Sequence, residues 1–180
     1  MRRLPAPATY ATWLALARVL TGIIWLAHGV PKFLHPEQFM PPNGFMAAYI
    51  SHGVATSSGW YHTFLLQTVQ PNLQLFAQLV RFGEVLVGLS LLLGALTRVG
   101  GFFGIILPLN YLLARGNLTW SQTLQSPELA LMLLSAISLV LPTGRFLGFD
   151  GLFAYARRRP ETVRAEFVPE PPLDKPTAPP

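Results

Sequence analysis

Apolar residues dominate four stretches of the chain, 10–30, 73–96, 100–116 and 127–147, with polar or proline-rich residues between them. A helix that crosses a bilayer needs about 20 mostly apolar residues, roughly 17 at the least. The first two stretches meet that length. The apolar cores of the third and fourth, 100–114 and 129–141, are shorter, so these spans are expected to borrow interfacial residues or to thin the bilayer around them. The pattern predicts an all-α fold, an integral membrane four-helix bundle within residues 10–155.

Local punctuation sets the expected ends of these helices. The first is expected to run from near Thr9 to Val30, because Pro31 has no amide with which to continue the ladder. The segment 31–71 that follows contains Phe33, Phe39, Phe45, Met46, Tyr49, Ile50, Trp60, Tyr61 and Phe64, too many apolar groups for a free loop. One or two short interfacial helices are expected there, on the outer side, with Trp60 and Tyr61 at headgroup level. Asn72 is an N-cap candidate for the second helix, and residues 97–99 make a tight turn into the third. Pro108 falls inside the third helix and frees a carbonyl near Gly104. Ser126, Pro127 and Glu128 form an N-cap, first-turn proline and first-turn acid, which starts the fourth. Seven prolines from Pro160 onward mark 156–180 as a disordered tail, and 1–9 form a short N-terminal segment.

Composition agrees with the membrane reading. The hydrophobic set makes up 51% of the 180 residues and charged residues only 12%, where a soluble domain has about a quarter charged. Mean hydropathy is +0.41. The net charge of +5 does not point to nucleic acid, because the basic residues sit at the ends of the spans. With the N-terminus in the cytoplasm, Arg2, Arg3, Arg98, Arg145 and the arginines at 157, 158 and 159 share the cytoplasmic side. Lys32, Arg115 and the histidines then lie outside. This is the positive-inside bias of a multi-pass inner-membrane protein with both termini cytoplasmic. The apolar run after Arg2 and Arg3 is longer than a signal peptide's and contains Arg18, so it is read as a retained span. The lack of cysteine excludes iron–sulfur clusters and disulfides formed by this chain alone.

Against this background the intramembrane polar residues stand out. Positions three and four apart share a helix face. In the first span Arg18, Thr21, Gly22, Trp25, His28, Gly29 and Lys32 form one stripe, and in the second Gln74, Gln78, Arg81, Glu84 and Gly88 form another. Both stripes must face protein. Helix rise puts Arg18 and Glu84 at compatible depths if each is measured from the expected inner end of its helix, so the expected ion pair is Arg18 with Glu84. Arg81 engages Glu84 locally or points outward, and Asn110 of the third span joins at a similar depth. Such a pair serves either as a clamp on helix register or as a proton or ligand site. His28 and Lys32 are one turn apart at the outer end, where an imidazole can hydrogen-bond a quinone carbonyl or pass a proton; the plain alternative is an interfacial histidine beside a snorkelling lysine. Of the histidines only His28 lies on a span, and Pro31 and Pro36 break any regular spacing to His35, so no metal site is expected. Gly100 with Gly104, and Ser90 with Gly94, are small-residue pairs suited to helix contact.

Three stretches resemble the DoxX family. RVLTGIIWLAHGVPKF, residues 18–33, is similar to its opening motif: an arginine, a histidine–glycine pair, then a lysine. GEVLVGLSLLLGALTR, residues 83–98, resembles its central segment, and TGRFLGFDGLFA, residues 143–154, its closing motif. The matched positions include Arg18, His28, Lys32, Glu84, Arg98, Arg145 and Asp150. The resemblance implies a four-helix membrane bundle. One relative, DoxD, is the small membrane subunit of a thiosulfate:quinone oxidoreductase, and other members are linked to oxidative-stress complexes or to maturation of other proteins. The implied function is a small subunit of a quinone-linked oxidoreductase in which Arg18, His28 and Glu84 line a cavity for the quinone ring or its protons. Having no redox centre, it would take electrons from a partner subunit or another cofactor. The partners implied are the lipid bilayer and an oxidoreductase subunit or further copies of the chain. The alternative is a non-catalytic anchor or assembly factor that holds a partner protein through the outer segment or the tail. A small-solute carrier fits less well, since no inverted halves are visible.

Overall fold

The computed structural model describes residues 7–116 and 119–164; the first six residues of the expected N-terminal segment and 165–180 of the expected tail lie outside the described residues. The first helix, α1 (Pro7–Gly29), does not stop the chain's helical course at Val30. Val30 keeps right-handed helical dihedrals, and the one-turn helix α2 (Pro31–Leu34) follows directly. Pro31 removes one donor, but its fixed φ suits the first position of a new turn, so the proline passes the helix on instead of ending it. The continuous apolar stretch is Thr9–Leu34. It carries Lys32 one further turn along the buried stripe.

Four short helices make up the outer segment: α2, α3 (Pro36–Phe39), α4 (Phe45–Thr56) and α5 (Gly59–Phe64), the last running into a π-helical turn at Leu65–Val69. They form a cap with a core of their own, in which Phe39, Met46, Ile50, Tyr61 and Leu65 pack on Ala77 and Ala114 of the long helices. Trp60 is exposed, but Tyr61 is buried. Its ring packs in the cap, and its hydroxyl donates to the Asn110 carbonyl at 2.9 Å.

The second and third long helices are α6 (Leu73–Leu93) and α7 (Thr97–Arg115). With Thr9–Leu34 they are three helices long and apolar enough to cross a membrane. A capped turn of chain, α8 (Trp120–Leu124), leads to α9 (Pro127–Val140), which starts as the sequence predicts: Ser126 Oγ accepts from the Leu129 amide. The fourth helix ends at Val140 and not at 147. Leu141 is extended before Pro142, as steric conflict with a following proline demands. Its 14 residues span about 21 Å, short of a bilayer core of about 30 Å.

Antiparallel packing pairs α1 with α6 and α7 with α9. Glycines set both contacts. The bare Cα of Gly22 lies against the Gly88–Leu92 backbone and Gly29 against Glu84 and Val85, while Gly101 and Gly104 of α7 lie against Ser135 and Leu139 of α9. Trp25 Nε1 donates to Ser135 Oγ at 3.2 Å and ties the two pairs together.

At the far end from the cap, the turn between α6 and α7 and the start of α10 (Phe149–Arg164) lock each other. Leu96 is left-handed, with φ of 53°, which costs a residue with a Cβ free energy. Asp150 holds it there. Its Oδ1 accepts from the Leu96 amide at 2.8 Å and its Oδ2 from the Thr97 amide and hydroxyl at 3.1 and 2.8 Å. The carboxylate thus takes up donors at the N-terminus of α7 that have no partner within the helix. Asp150→Ala is expected to lower stability by about 2 kcal/mol, the upper range for a lost cap, as a drop in thermal midpoint in detergent.

Candidate functional site

Glu84 is 2% exposed in the middle of α6, and a carboxylate so buried needs partners. Its partner is Lys32, whose Nζ lies 2.5 Å from both carboxylate oxygens. Tyr111, from α7, completes the group: its hydroxyl donates to Glu84 Oε1 at 3.2 Å and accepts from Lys32 Nζ at 3.2 Å. The ammonium also stands 4.6 Å from the centre of the Phe39 ring, so a cap helix closes the fourth side with a negative aromatic face. Four elements, α2, α3, α6 and α7, therefore each supply one side chain.

The expected pairing of Arg18 with Glu84 is not formed, and the helix register gives the reason. Gly22 opposite Leu92 and Gly29 opposite Val85 set residues i and j level when their numbers add to about 114. Arg18 is then level with Leu96, about 18 Å along the axis from Glu84. Its guanidinium, on a residue 2% exposed, donates to the Thr143 carbonyl at 3.2 Å and the Leu147 carbonyl at 2.9 Å. Leu147 is a second left-handed leucine, and Arg18 holds the strained chain where Gly94 and Gly148 leave room for the guanidinium.

The other expected site residues also go elsewhere. Arg81 donates through Nε to Gln78 at 2.7 Å and lies 4.5 Å over the Phe33 ring. His28 is exposed and turns back on its own helix; a carbonyl can only accept, so Nδ1 carries the proton donated to Ile24 O at 2.8 Å. The Asn110 amide donates to Ile106 O, also in its own helix. Of the six residues expected to gather, Lys32 and Glu84 meet.

Tyr111 is the member that the sequence reading missed, and it connects the pair to an open space. Between α6 and α7 runs an apolar groove of about 750 Å³, lined by Leu79, Leu86, Phe103, Leu107, Tyr61 and Tyr111 among others. Its lining runs from Phe76 to Leu93 along α6, about 25 Å. Leu79, Leu86 and Phe103 are about half exposed, so the groove opens on the outward surface of the bundle. Apart from Ser90 at the opposite end, its polar side chains cluster at the cap end, where Tyr49, Tyr61, Asn110 and Tyr111 line it. Tyr49 donates to the Tyr111 carbonyl at 2.8 Å. Burial pushes the Tyr61 phenol up to about 12 and raises that of Tyr49, so both stay donors at neutral pH. A long apolar slot with a few convergent hydroxyls at one end, one of them bonded to a buried ion pair, suits an apolar ligand whose head takes hydrogen bonds and exchanges protons.

Compared with known families, residues 13–163 match the family described as TQO small subunit DoxD. No curated protein and no solved structure matches the chain.

Proposed function

The chain belongs to the DoxD family, and from that premise we propose that it serves as the small membrane subunit of a thiosulfate:quinone oxidoreductase, seating a quinone in the groove between α6 and α7. The observation that carries this reading is the double role of Tyr111, which lines the groove and hydrogen-bonds Glu84. The isoprenoid chain lies along the leucines and phenylalanines, open to lipid. The ring sits at the cap end, where the Tyr111 hydroxyl donates to a carbonyl oxygen.

Reduction to quinol takes two electrons and two protons. The electrons come from the sulfur substrate, through a partner subunit. The protons are taken up by the ring oxygens, and Glu84 with Tyr111 holds a proton beside one of them, with Lys32 balancing the charge when the carboxylate is ionised. Residues 10–155 form the working domain. The inner membrane is its location, with both termini cytoplasmic, because Arg98, Arg145 and the arginine run 157–159 belong to the end away from the cap.

Tyr111→Phe removes one hydrogen bond and is expected to leave the fold intact while weakening quinone affinity about tenfold, roughly 1.4 kcal/mol. Titration of purified protein with a soluble quinone analogue measures this. Glu84→Gln, in the assembled complex, is expected to lower quinone reduction by about a hundredfold, the lower range for a lost proton-transfer group. Unchanged turnover in that variant, with no quinone retained by the wild type, favours a non-catalytic anchor instead.

A further inference from the structure

The end of the bundle opposite the cap carries apolar surface that none of the long helices covers. In α10, Phe149, Leu152, Phe153 and Ala156 recur at the spacing of one helix face. Leu152 and Phe153 are each 63% exposed, the same as Leu86 on the outward face of α6, and Tyr155 reaches 71%. Just before the helix, Leu147 is 80% exposed and Phe146 46%. The opposite side of α10 is engaged: Asp150 is held by Leu96 and Thr97, and its own amide donates to the Gly94 carbonyl. The helix is therefore fixed at the level where α6 and α7 turn, with its apolar face outward.

Charge identifies what covers that face. Arginines at 157, 158 and 159 follow the apolar residues in the same helix, and Arg98, at the start of α7, and Arg145, in the turn before α10, are exposed. An apolar helix face flanked by arginines, at the depth where the spans end, has the make-up of a helix lying in the headgroup layer of a bilayer with anionic lipid. We infer that α10 binds the anionic leaflet surface, with Leu152 and Phe153 among the upper acyl carbons. The contact holds the Asp150 and Arg18 locks against the membrane from below.

The chain has no cysteine, so a single one can be labelled without background. The full-length Phe153→Cys protein carries an environment-sensitive fluorophore and is reconstituted in phosphatidylcholine vesicles with or without phosphatidylglycerol. Leu152→Cys provides a second position. With phosphatidylglycerol the emission is expected to shift to the blue and to be quenched by bilayer nitroxides. Without it, the label is expected to be reached by an aqueous quencher. Replacing the arginines at 157, 158 and 159 by glutamine should abolish the difference. A label equally accessible to water in both lipids overturns the inference, as does one equally immersed in both. Protection seen only in native membranes that retain their proteins overturns it too and assigns the face to a protein partner.

Discussion

Lys32→Met is expected to destabilise the bundle by about 3–5 kcal/mol, because it leaves the Glu84 carboxylate buried with no cation beside it. The loss has a specific source. Glu84 is 2% exposed and receives its charged bond from Lys32, while Tyr111 supplies one neutral bond. Lys32→Met/Glu84→Leu removes both charges together and should recover most of the stability, since apolar replacement of a buried pair is often neutral or stabilising. Unfolding of the purified protein in mild detergent, followed by its helical signal, gives both values. A loss in the double variant equal to the sum of the losses in Lys32→Met and Glu84→Leu alone would show that the two side chains act separately.

A larger effect is expected from Gly22→Leu. A Cβ built on Gly22 lies 2.5 Å from the Leu92 amide nitrogen and 2.9 Å from the Gly88 carbonyl oxygen. Both atoms belong to the backbone of α6, so neither can turn aside, and α1 has to move away. Separation of α1 from α6 also breaks the Lys32–Glu84 pair and loosens the Trp25–Ser135 bond. The expected result is loss of the monodisperse folded protein on size-exclusion chromatography. Gly83→Ala is the control. Its Cβ would meet Leu107 Cδ1 at 3.2 Å, the far end of a flexible side chain, and a change of about 1 kcal/mol or less is expected.

Most of the first span's stripe was legible in the sequence, because burial follows the 3.6-residue period: Arg18, Thr21, Gly22, Trp25 and Gly29 are buried and Leu16, Leu20, Ile23 and Ile24 exposed, whereas His28 on the same stripe, and Gln74 on that of the second span, are exposed. So was the start of α9, where a cap is a local signal. The partner of Glu84 was not. Depth measured from the expected end of each helix assumes that the ends lie level, whereas the register is set by where glycines let two backbones meet. That is a property of the pair of helices, not of either one. Lys32 stood on the expected stripe, but its place beside His28 marked it as a group at the outer end of the span, not as the cation that meets Glu84. Tyr111 carried no signal of its own, since a tyrosine in an apolar run is ordinarily packing; only the approach of α7 to Glu84 gives its hydroxyl a role. Arg18 and Asp150 were both marked by the family motifs, and the structure shows why they stand so far apart in the chain: one holds the strained turn before α10 and the other the strained turn before α7.

The central claim is that a quinone ring seats beside Tyr111, over the buried Lys32–Glu84 pair. Photolabelling of the reconstituted protein with an azidoquinone, followed by peptide mapping, tests it most directly. Adducts on Tyr61, Leu107 and Tyr111, reduced by excess unlabelled quinone, are the expected result. Adducts confined to the outward faces of α1 or α9, or labelling that quinone does not compete away, would contradict it.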